Sequence, residues 1–160
     1  MTTGSTMALP HVHDVLAPDG SEVRILLSAA GGSMAHFLLP AGQISKAVRH
    51  RTVEELWYVL SGSGEMWRSV DGLSGDIVPL SAGVSLTIPI GVSFQFRCIG
   101  DQPLAVVAVT LPPWPRVDEA EMVEGTWEPT VPPDDSSNLP DPSHDGRTEP
   151  STIKTVDMLR

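Results

Sequence analysis

The amino-acid sequence predicts an all-β sandwich or barrel, and three observations favour this class. Short apolar or alternating segments recur from residue 22 to residue 111, and Gly, Pro and Asp turn signals separate them roughly every eight to twelve residues. No segment in this range shows the apolar period of a helix, which argues against a parallel fold with crossover helices. The 160 residues, of which 41% are hydrophobic, suffice for one domain with a substantial core.

The individual elements follow from this alternation. We expect roughly eight to ten short strands, and the clearest candidates are Glu22–Ser28, Ser33–Leu39, Glu55–Leu60, Glu65–Val70, Asp76–Leu80, Val84–Ile88, Val92–Ile99 and Leu104–Leu111. Gly62 and Gly64 separate the third and fourth of these and predict a hairpin. The His11-Val12-His13 segment has the pattern of two metal ligands on one strand face, but its polar surroundings favour an arm or an edge strand.

The composition divides the chain into three parts. Residues 1–19 are predicted to form an N-terminal arm or edge strand, and residues 20–111 the barrel. Residues 112–160 contain 9 of the 15 prolines, with 11 acids and 4 bases, and are predicted to form an acidic, Pro-rich C-terminal extension. Within it, Asp118–Glu124 could form one or two helical turns. Trp114 and Trp127 are large and apolar, so we expect them to dock the extension on the barrel.

Charge and cysteine content restrict the partners and the compartment. The formal net charge is -10 and no basic patch is present, so binding to nucleic acid or to an anionic membrane is not expected. The single cysteine, Cys98, cannot form a disulfide within the chain and is interpreted as a small core residue in a reducing compartment. No signal peptide and no apolar stretch of ~20 residues is found, so a cytoplasmic location is expected.

Two stretches carry the candidate site. The first spaces Gly42, His50, Glu55 and Gly62, with Val48 two residues before the histidine, and the second spaces Gly83, Pro89-Ile90-Gly91 and Phe94. These spacings resemble the two sequence motifs of the cupin superfamily, and the resemblance covers about residues 20–111. It implies a double-stranded β-helix, or jelly-roll, barrel. It also implies a homodimer, because cupins commonly pair their edge strands.

The resemblance also marks the positions of a metal site. In metal-binding cupins two histidines and a glutamate of the first motif and a histidine of the second hold the ion, and these positions are Val48, His50, Glu55 and Phe94 in this chain. Two of the four cannot ligate, whereas transition-metal sites in enzymes typically have about three protein ligands. His36 could replace one of them if it points inward beside Leu38. The expected cofactor is therefore none, or one divalent transition metal held by His50, Glu55 and His36.

A pocket can be predicted without a metal. Strand alternation places Glu55, Trp57 and Val59 on one face of their strand, and Phe94 shares a face with Phe96. An apolar interior raises the pKa of a carboxyl group, and a coupled His50–Glu55 pair could move a proton near neutral pH. His50 and Glu55 are the predicted catalytic residues, with His36 or Tyr58 assisting. Trp57, Val48, Phe94, Phe96 and Gln95 are the candidates for binding a substrate.

Three functional hypotheses remain open at this point. The first is a small-molecule enzyme that performs acid–base chemistry, such as isomerisation, cyclisation or dehydration, in an apolar barrel. The second is a metal-dependent cupin such as a dioxygenase, and the third is a non-catalytic barrel that binds a small ligand. The fold cannot choose among them, because cupins carry many functions.

Overall fold

The computed structural model describes residues 3–115 and 118–133, and this part of the chain contains eleven β-strands and no helix. The strands are β1 (Val15–Leu16), β2 (Glu22–Ala29), β3 (Gly32–Leu39), β4 (Val48–His50), β5 (Glu54–Ser61), β6 (Ser63–Ser69), β7 (Asp76–Ser81), β8 (Ser85–Ile88), β9 (Ser93–Cys98), β10 (Leu104–Leu111) and β11 (Ala120–Met122). Two features differ from the expectation. β4 was not predicted as a strand, and the segment expected to be helical contains β11.

The strands form two antiparallel sheets. The six-stranded sheet has the order β1-β2-β3-β10-β5-β8, and the five-stranded sheet has the order β11-β4-β9-β6-β7. Neighbouring strands are often distant in sequence, as β10 between β3 and β5 shows, because the chain crosses repeatedly between the sheets. This is a double-stranded β-helix, and it confirms the predicted all-β jelly-roll class.

The apolar core lies between the two sheets. Each sheet turns alternate side chains inward, so that one face of most strands contributes to a single cluster. Its fully buried members include Leu39, Val59, Met66, Ile88, Phe94, Phe96, Leu104 and Val106, and Trp57 is almost fully buried beside them. Cys98 is buried in the same cluster as a free thiol, as expected. The interior is therefore filled by side chains, several of them aromatic.

The two outer faces differ. Residues after β11 pack on the five-stranded sheet, where the side-chain amide of Gln95 accepts a hydrogen bond from the backbone nitrogen of Trp127 and donates one to its carbonyl oxygen. The guanidinium of Arg97 lies 4.4 Å from the centre of the Trp127 ring. The outer face of the six-stranded sheet instead exposes apolar side chains, namely Met34, Leu56, Tyr58 and Leu60.

One negative finding concerns membranes. Residues 3–115 and 118–133 contain no helix that is long and apolar enough to cross a bilayer.

Candidate functional site

His50 is the last residue of β4 and points into one end of the barrel. Strand alternation turns Val48 and His50 inward and Arg49 outward, and only 4% of His50 is exposed. Its imidazole packs edge-on against Phe94 and against Trp114, with 5.2 Å between ring centres in each case. An aromatic residue of the barrel and one from the C-terminal extension therefore enclose the imidazole.

Glu55, the second residue of β5, faces His50 from the other sheet. Its side chain is buried and its Oε2 accepts a hydrogen bond of 2.6 Å from the indole Nε1 of Trp57. Its Oε1 lies 3.8 Å from Nδ1 of His50, which is too long for a hydrogen bond. Among the described residues the Nδ1 atom of His50 has no hydrogen-bond partner. The pair is close, buried and unbridged.

Burial controls the charge of this pair. Desolvation raises the pKa of Glu55 to about 7; the hydrogen bond from Trp57 opposes this shift, and the negative charge of Asp19 adds to it. Desolvation likewise lowers the pKa of His50 to about 4, against a smaller opposing effect of Glu119. A neutral carboxylic acid therefore faces a neutral imidazole near pH 6, and Glu55 can gain or lose its proton close to neutral pH.

The loop between the two residues is held by Glu119, which the sequence analysis did not single out. The buried carboxylate of Glu119 accepts hydrogen bonds from the backbone nitrogens of Thr52 and Val53, at 2.6 and 2.8 Å, and from the Thr52 hydroxyl at 2.7 Å. In sequence Glu119 resembles the other acids of the extension, so no local signal marks it. Only the pairing of β11 with β4 brings it to the site.

Four predicted residues line the interior around the pair. Val48 and Phe94 are cross-strand partners on β4 and β9, and both are fully buried. Phe94 and Phe96 each pack edge-on against Trp57, with ring centres 6.3 and 5.0 Å apart. The alternation argument therefore placed Val48, Trp57, Phe94 and Phe96 on the inner faces, where the structure has them.

Three other predicted residues lie elsewhere. On β3, Phe37 and Leu39 point inward, at one and three residues from His36, and Phe37 stacks on Trp57. His36 therefore faces the outer side of the sheet, opposite to the expected orientation. Tyr58 is exposed on that same outer face. Gln95 is buried, but on the outer side of β9, where it bonds Ser45 and Trp127.

Comparison with known proteins identifies the family. Residues 35–110 match the family model described as Cupin domain, and this range contains both strands of the pair and both sequence motifs. This part of the chain belongs to the cupin superfamily. A curated relative, the uncharacterized protein MJ1618 of Methanocaldococcus jannaschii, is 28% identical over 108 residues, which are 64% of this cupin and 82% of the relative.

Solved structures support the same fold. An uncharacterized conserved protein with a double-stranded β-helix domain from Klebsiella pneumoniae aligns with a TM-score of 0.60 and 16% identity over 77% of this cupin and 100% of its own chain. The oxalate decarboxylase of Bacillus subtilis, which has Mn(II) centres, aligns with a TM-score of 0.54 and 20% identity over 61% of this cupin and 27% of its own chain.

The donor set of this cupin does not fit a site with three protein ligands. In residues 3–115 and 118–133 no group of three His, Cys, Asp or Glu side chains could hold a metal ion. His50 and Glu55 have ligating atoms, but Val48 and Phe94 beside them do not, and His36 faces away. These residues leave two protein ligands at the site, one fewer than such centres typically have.

Two surface concavities in the described part of this cupin lie away from the pair. One, of about 460 Å³, lies beneath the C-terminal extension and is lined by Lys46, Gln95 and Trp127 among others. Another, of about 430 Å³, lies on the outer face of the six-stranded sheet beside Tyr58 and Val107. Neither contains His50 or Glu55, and the Trp114 ring lies against the imidazole of His50.

Proposed function

We propose that this cupin is a small-molecule enzyme that performs acid–base chemistry, such as isomerisation, cyclisation or dehydration, with His50 and Glu55. The observation that carries the proposal is the separation of 3.8 Å between His50 Nδ1 and Glu55 Oε1, both buried and not bonded to each other. Burying two ionisable groups without a hydrogen bond between them lowers the stability of the fold. Ionisable groups kept in such unfavourable surroundings are typical of functional sites.

The proton balance of an isomerisation is simple in this arrangement. Neutral His50 takes a proton from one substrate atom, and the electron pair of the broken bond stays in the substrate. Protonated Glu55 gives a proton to a second substrate atom. The products are an imidazolium and a carboxylate. A proton returns from His50 to Glu55 and restores the neutral pair that burial favours.

The walls indicate the substrate class. Most inner side chains around the pair are apolar or aromatic, among them Val48, Trp57, Ile88 and Phe94. Thr110, the cross-strand partner of Glu55, is polar, but its hydroxyl shares a hydrogen bond with Ser33. A charged group would lose its hydration there without an opposite charge to replace it. We therefore propose an uncharged, compact substrate with an acidic C–H or O–H bond, which enters when the Trp114 ring moves aside.

A deuterium-incorporation assay tests the proposal. The protein is incubated in D₂O with a panel of uncharged enolisable carbonyl compounds, and exchange into each compound is followed by NMR. We expect exchange with the wild type and a large loss in both His50→Gln and Glu55→Gln. His13→Gln is the matched control, because His13 lies on the surface beside Glu22. Exchange that survives in both site variants would rule out the pair as the acid and base.

A second candidate function is supported by the packing of the interior. Trp57, Phe94 and Phe96 fill the space next to the pair, and Trp114 covers His50. A barrel filled in this way suits a protein that binds a small ligand by exchanging it for the Trp114 ring, without chemistry. A compound that shifts the NMR signals of His50 and Trp57 but exchanges no proton would support this alternative.

The proposal includes a homodimer. The exposed apolar side chains on the outer face of the six-stranded sheet, among them Leu56, Tyr58 and Leu60, support it, since such a face gains stability when covered. Light scattering after size-exclusion chromatography should give about twice the chain mass of 17.1 kDa. Tyr58→Lys should shift the mass toward the monomer, and a monomeric wild type would remove this part of the proposal.

A further inference from the structure

Glu119 is the buried acid that connects the C-terminal extension to the candidate site. Only 4% of it is exposed, and both carboxylate oxygens are used: Oε1 by the two backbone nitrogens of Thr52 and Val53, and Oε2 by the Thr52 hydroxyl. Burial alone would raise the pKa of this carboxyl group. The hydrogen bonds from Thr52 and Val53 and the nearby His50 lower it instead, so Glu119 is an anion at neutral pH.

The segment that Glu119 holds is the one that separates the two site residues. Arg51, Thr52 and Val53 leave β4 directly after His50 and enter β5 directly before Glu54 and Glu55. Their backbone nitrogens would be unpaired in this turn if Glu119 were absent: Arg51 donates to the Glu119 carbonyl oxygen at 3.0 Å, and the other two donate to its carboxylate. One residue thus pairs three consecutive backbone donors.

The backbone around Glu119 is shaped for this contact. Asp118, immediately before it, has φ of 48°, a left-handed conformation uncommon for a residue other than glycine. Directly after it, Ala120 pairs with His50 in the β11–β4 ladder. The turn at Asp118 and the pairing of Ala120 with His50 together direct the Glu119 carboxylate toward residues 51–53.

We propose that Glu119 is a positioning residue for the His50–Glu55 pair: it fixes the loop between them and thereby the gap between the imidazole and the carboxyl group. The inference rests on the proposed function in so far as the pair is the reactive site. It makes the extension part of that site, although Glu119 touches neither a substrate nor a reacting atom.

NMR on the full chain tests this inference without any substrate. The variants are Glu119→Ala, which removes the carboxylate, and Glu119→Gln, which keeps one acceptor oxygen and the side-chain volume. Glu121→Ala is the matched control, because Glu121 lies two residues further along, on β11, and pairs with Arg49 and Arg51 at the surface. Two readings are taken: amide hydrogen exchange at Thr52 and Val53, and the indole Nε1–H signal of Trp57, which reports on Glu55.

We expect Glu119→Ala to speed amide exchange at Thr52 and Val53 by roughly tenfold or more and to move the Trp57 indole proton upfield. Glu119→Gln should give the same changes at smaller size, and Glu121→Ala should match the wild type. If the loop amides exchange faster while the Trp57 signal stays in place, Glu119 only ties down the loop and the inference is wrong. Unchanged amides would overturn it as well.

Glu119→Gln decides the matter if Glu119→Ala does not fold. The result is also separable from the proposed function, because neither reading requires turnover. A protein in which His50→Gln and Glu55→Gln leave proton exchange intact, but in which Glu119 still controls the Trp57 signal, would contradict the proposed chemistry and not the positioning role.

Discussion

Trp57 and Glu55 lie two residues apart on β5, and the indole of the first donates a hydrogen bond of 2.6 Å to the carboxyl group of the second. Residues at this spacing share a face of a strand, so the donor and the acceptor are both fixed by the same backbone. The bond occupies Oε2 and leaves Oε1 directed at His50. A buried tryptophan that would otherwise only fill the core therefore orients the carboxyl group.

Replacing this donor should cost stability. Trp57→Phe keeps an aromatic ring but leaves Glu55 buried with one partner fewer, so we expect the free energy of unfolding to fall by about 1–3 kcal/mol. Urea denaturation at pH 8, where Glu55 is more often ionised, measures the loss. Trp67→Phe is the control, since Trp67 is also buried but lies on β6, where its indole packs beside Gly75. Equal losses in the two variants would mean that the lost ring volume, and not the hydrogen bond, is responsible.

The pair should give stability two opposite pH dependences. In the folded protein the pKa of Glu55 is raised to about 7 from its ordinary value of 4.5. Its contribution to stability therefore falls as pH rises from 4.5 to 7. In the folded protein the pKa of His50 is lowered to about 4 from its ordinary value of 6.5. Its contribution to stability therefore falls as pH drops from 6.5 to 4. Each contribution amounts to about 3 kcal/mol at most.

Single variants separate the two contributions. In Glu55→Gln the free energy of unfolding should no longer decline toward pH 7 but should still decline toward pH 4. His50→Gln should show the reverse. Chemical denaturation at intervals from pH 4 to pH 8 measures both. Parallel curves for the wild type and the two variants would show that neither group has a shifted pKa.

The extension should be sensitive to one added methyl group. A Cβ at Gly125 would meet the side-chain oxygen of Gln95 and the Cβ of Ala47, so Gly125→Ala should destabilise the docked segment by about 1–3 kcal/mol. Gly31→Ala is the control, because a Cβ there meets no atom within 4 Å. Thermal unfolding together with the quenching of Trp127 fluorescence distinguishes the two. A Gly125→Ala protein as stable as Gly31→Ala would contradict the packing beneath the extension.

Trp114 should protect His50 from reagents in solution. Only 4% of His50 is exposed, and the Trp114 ring covers one side of it. Trp114→Ala should therefore speed the acylation of His50 by diethylpyrocarbonate about tenfold or more, if opening of this cover limits access. Mass spectrometry of the modified peptides gives the rate, and His13 provides the internal reference. An unchanged rate for His50 would show that the reagent enters by another route.

Metal content tests the remaining hypothesis of a metal-dependent enzyme. With two protein ligands at the site, we expect well under one equivalent of Fe, Mn, Ni or Zn in the purified untagged wild type. Val48→His combined with Phe94→His places histidines at the two apolar motif positions, and should raise metal retention. Inductively coupled plasma mass spectrometry measures it, with His50→Ala and Glu55→Ala as controls. One equivalent in the wild type, lost in both alanine variants, would favour the metal-dependent reading.

Strand alternation and motif spacing were sufficient to predict most of the barrel and the inward-facing positions of β4, β5 and β9. Glu55 and Trp57 are two residues apart on β5 and therefore share a face, and the cupin-like motif that contains Glu55 indicated that this face points inward. On β3 both faces are largely apolar, so the sequence SMAHFLL does not indicate which face points inward. The side on which His36 lies was decided by the pairing of β3 with β2 and β10, which sequence alone does not reveal.

The extension shows a second limit of reading the sequence. Asp118–Glu124 has a composition compatible with a helical turn, but the open edge of β4 offers hydrogen bonds along its length, and Ala120–Met122 forms a strand there instead. The contacts of Glu119 with Thr52 and Val53 arise from the same long-range pairing. Local propensity could predict neither of them, because the partner lies roughly seventy residues earlier in the chain.

The position of Glu119 has a consequence for how this protein should be divided. The match to the family model ends at residue 110, while the ring that covers His50 and the carboxylate that holds its loop come from residues 114 and 119. A fragment cut at the edge of the family resemblance would keep both members of the pair and lose Trp114 and Glu119. The range that matches the family and the range that builds the proposed site therefore differ, so membership of the family does not by itself extend the proposed function to a relative.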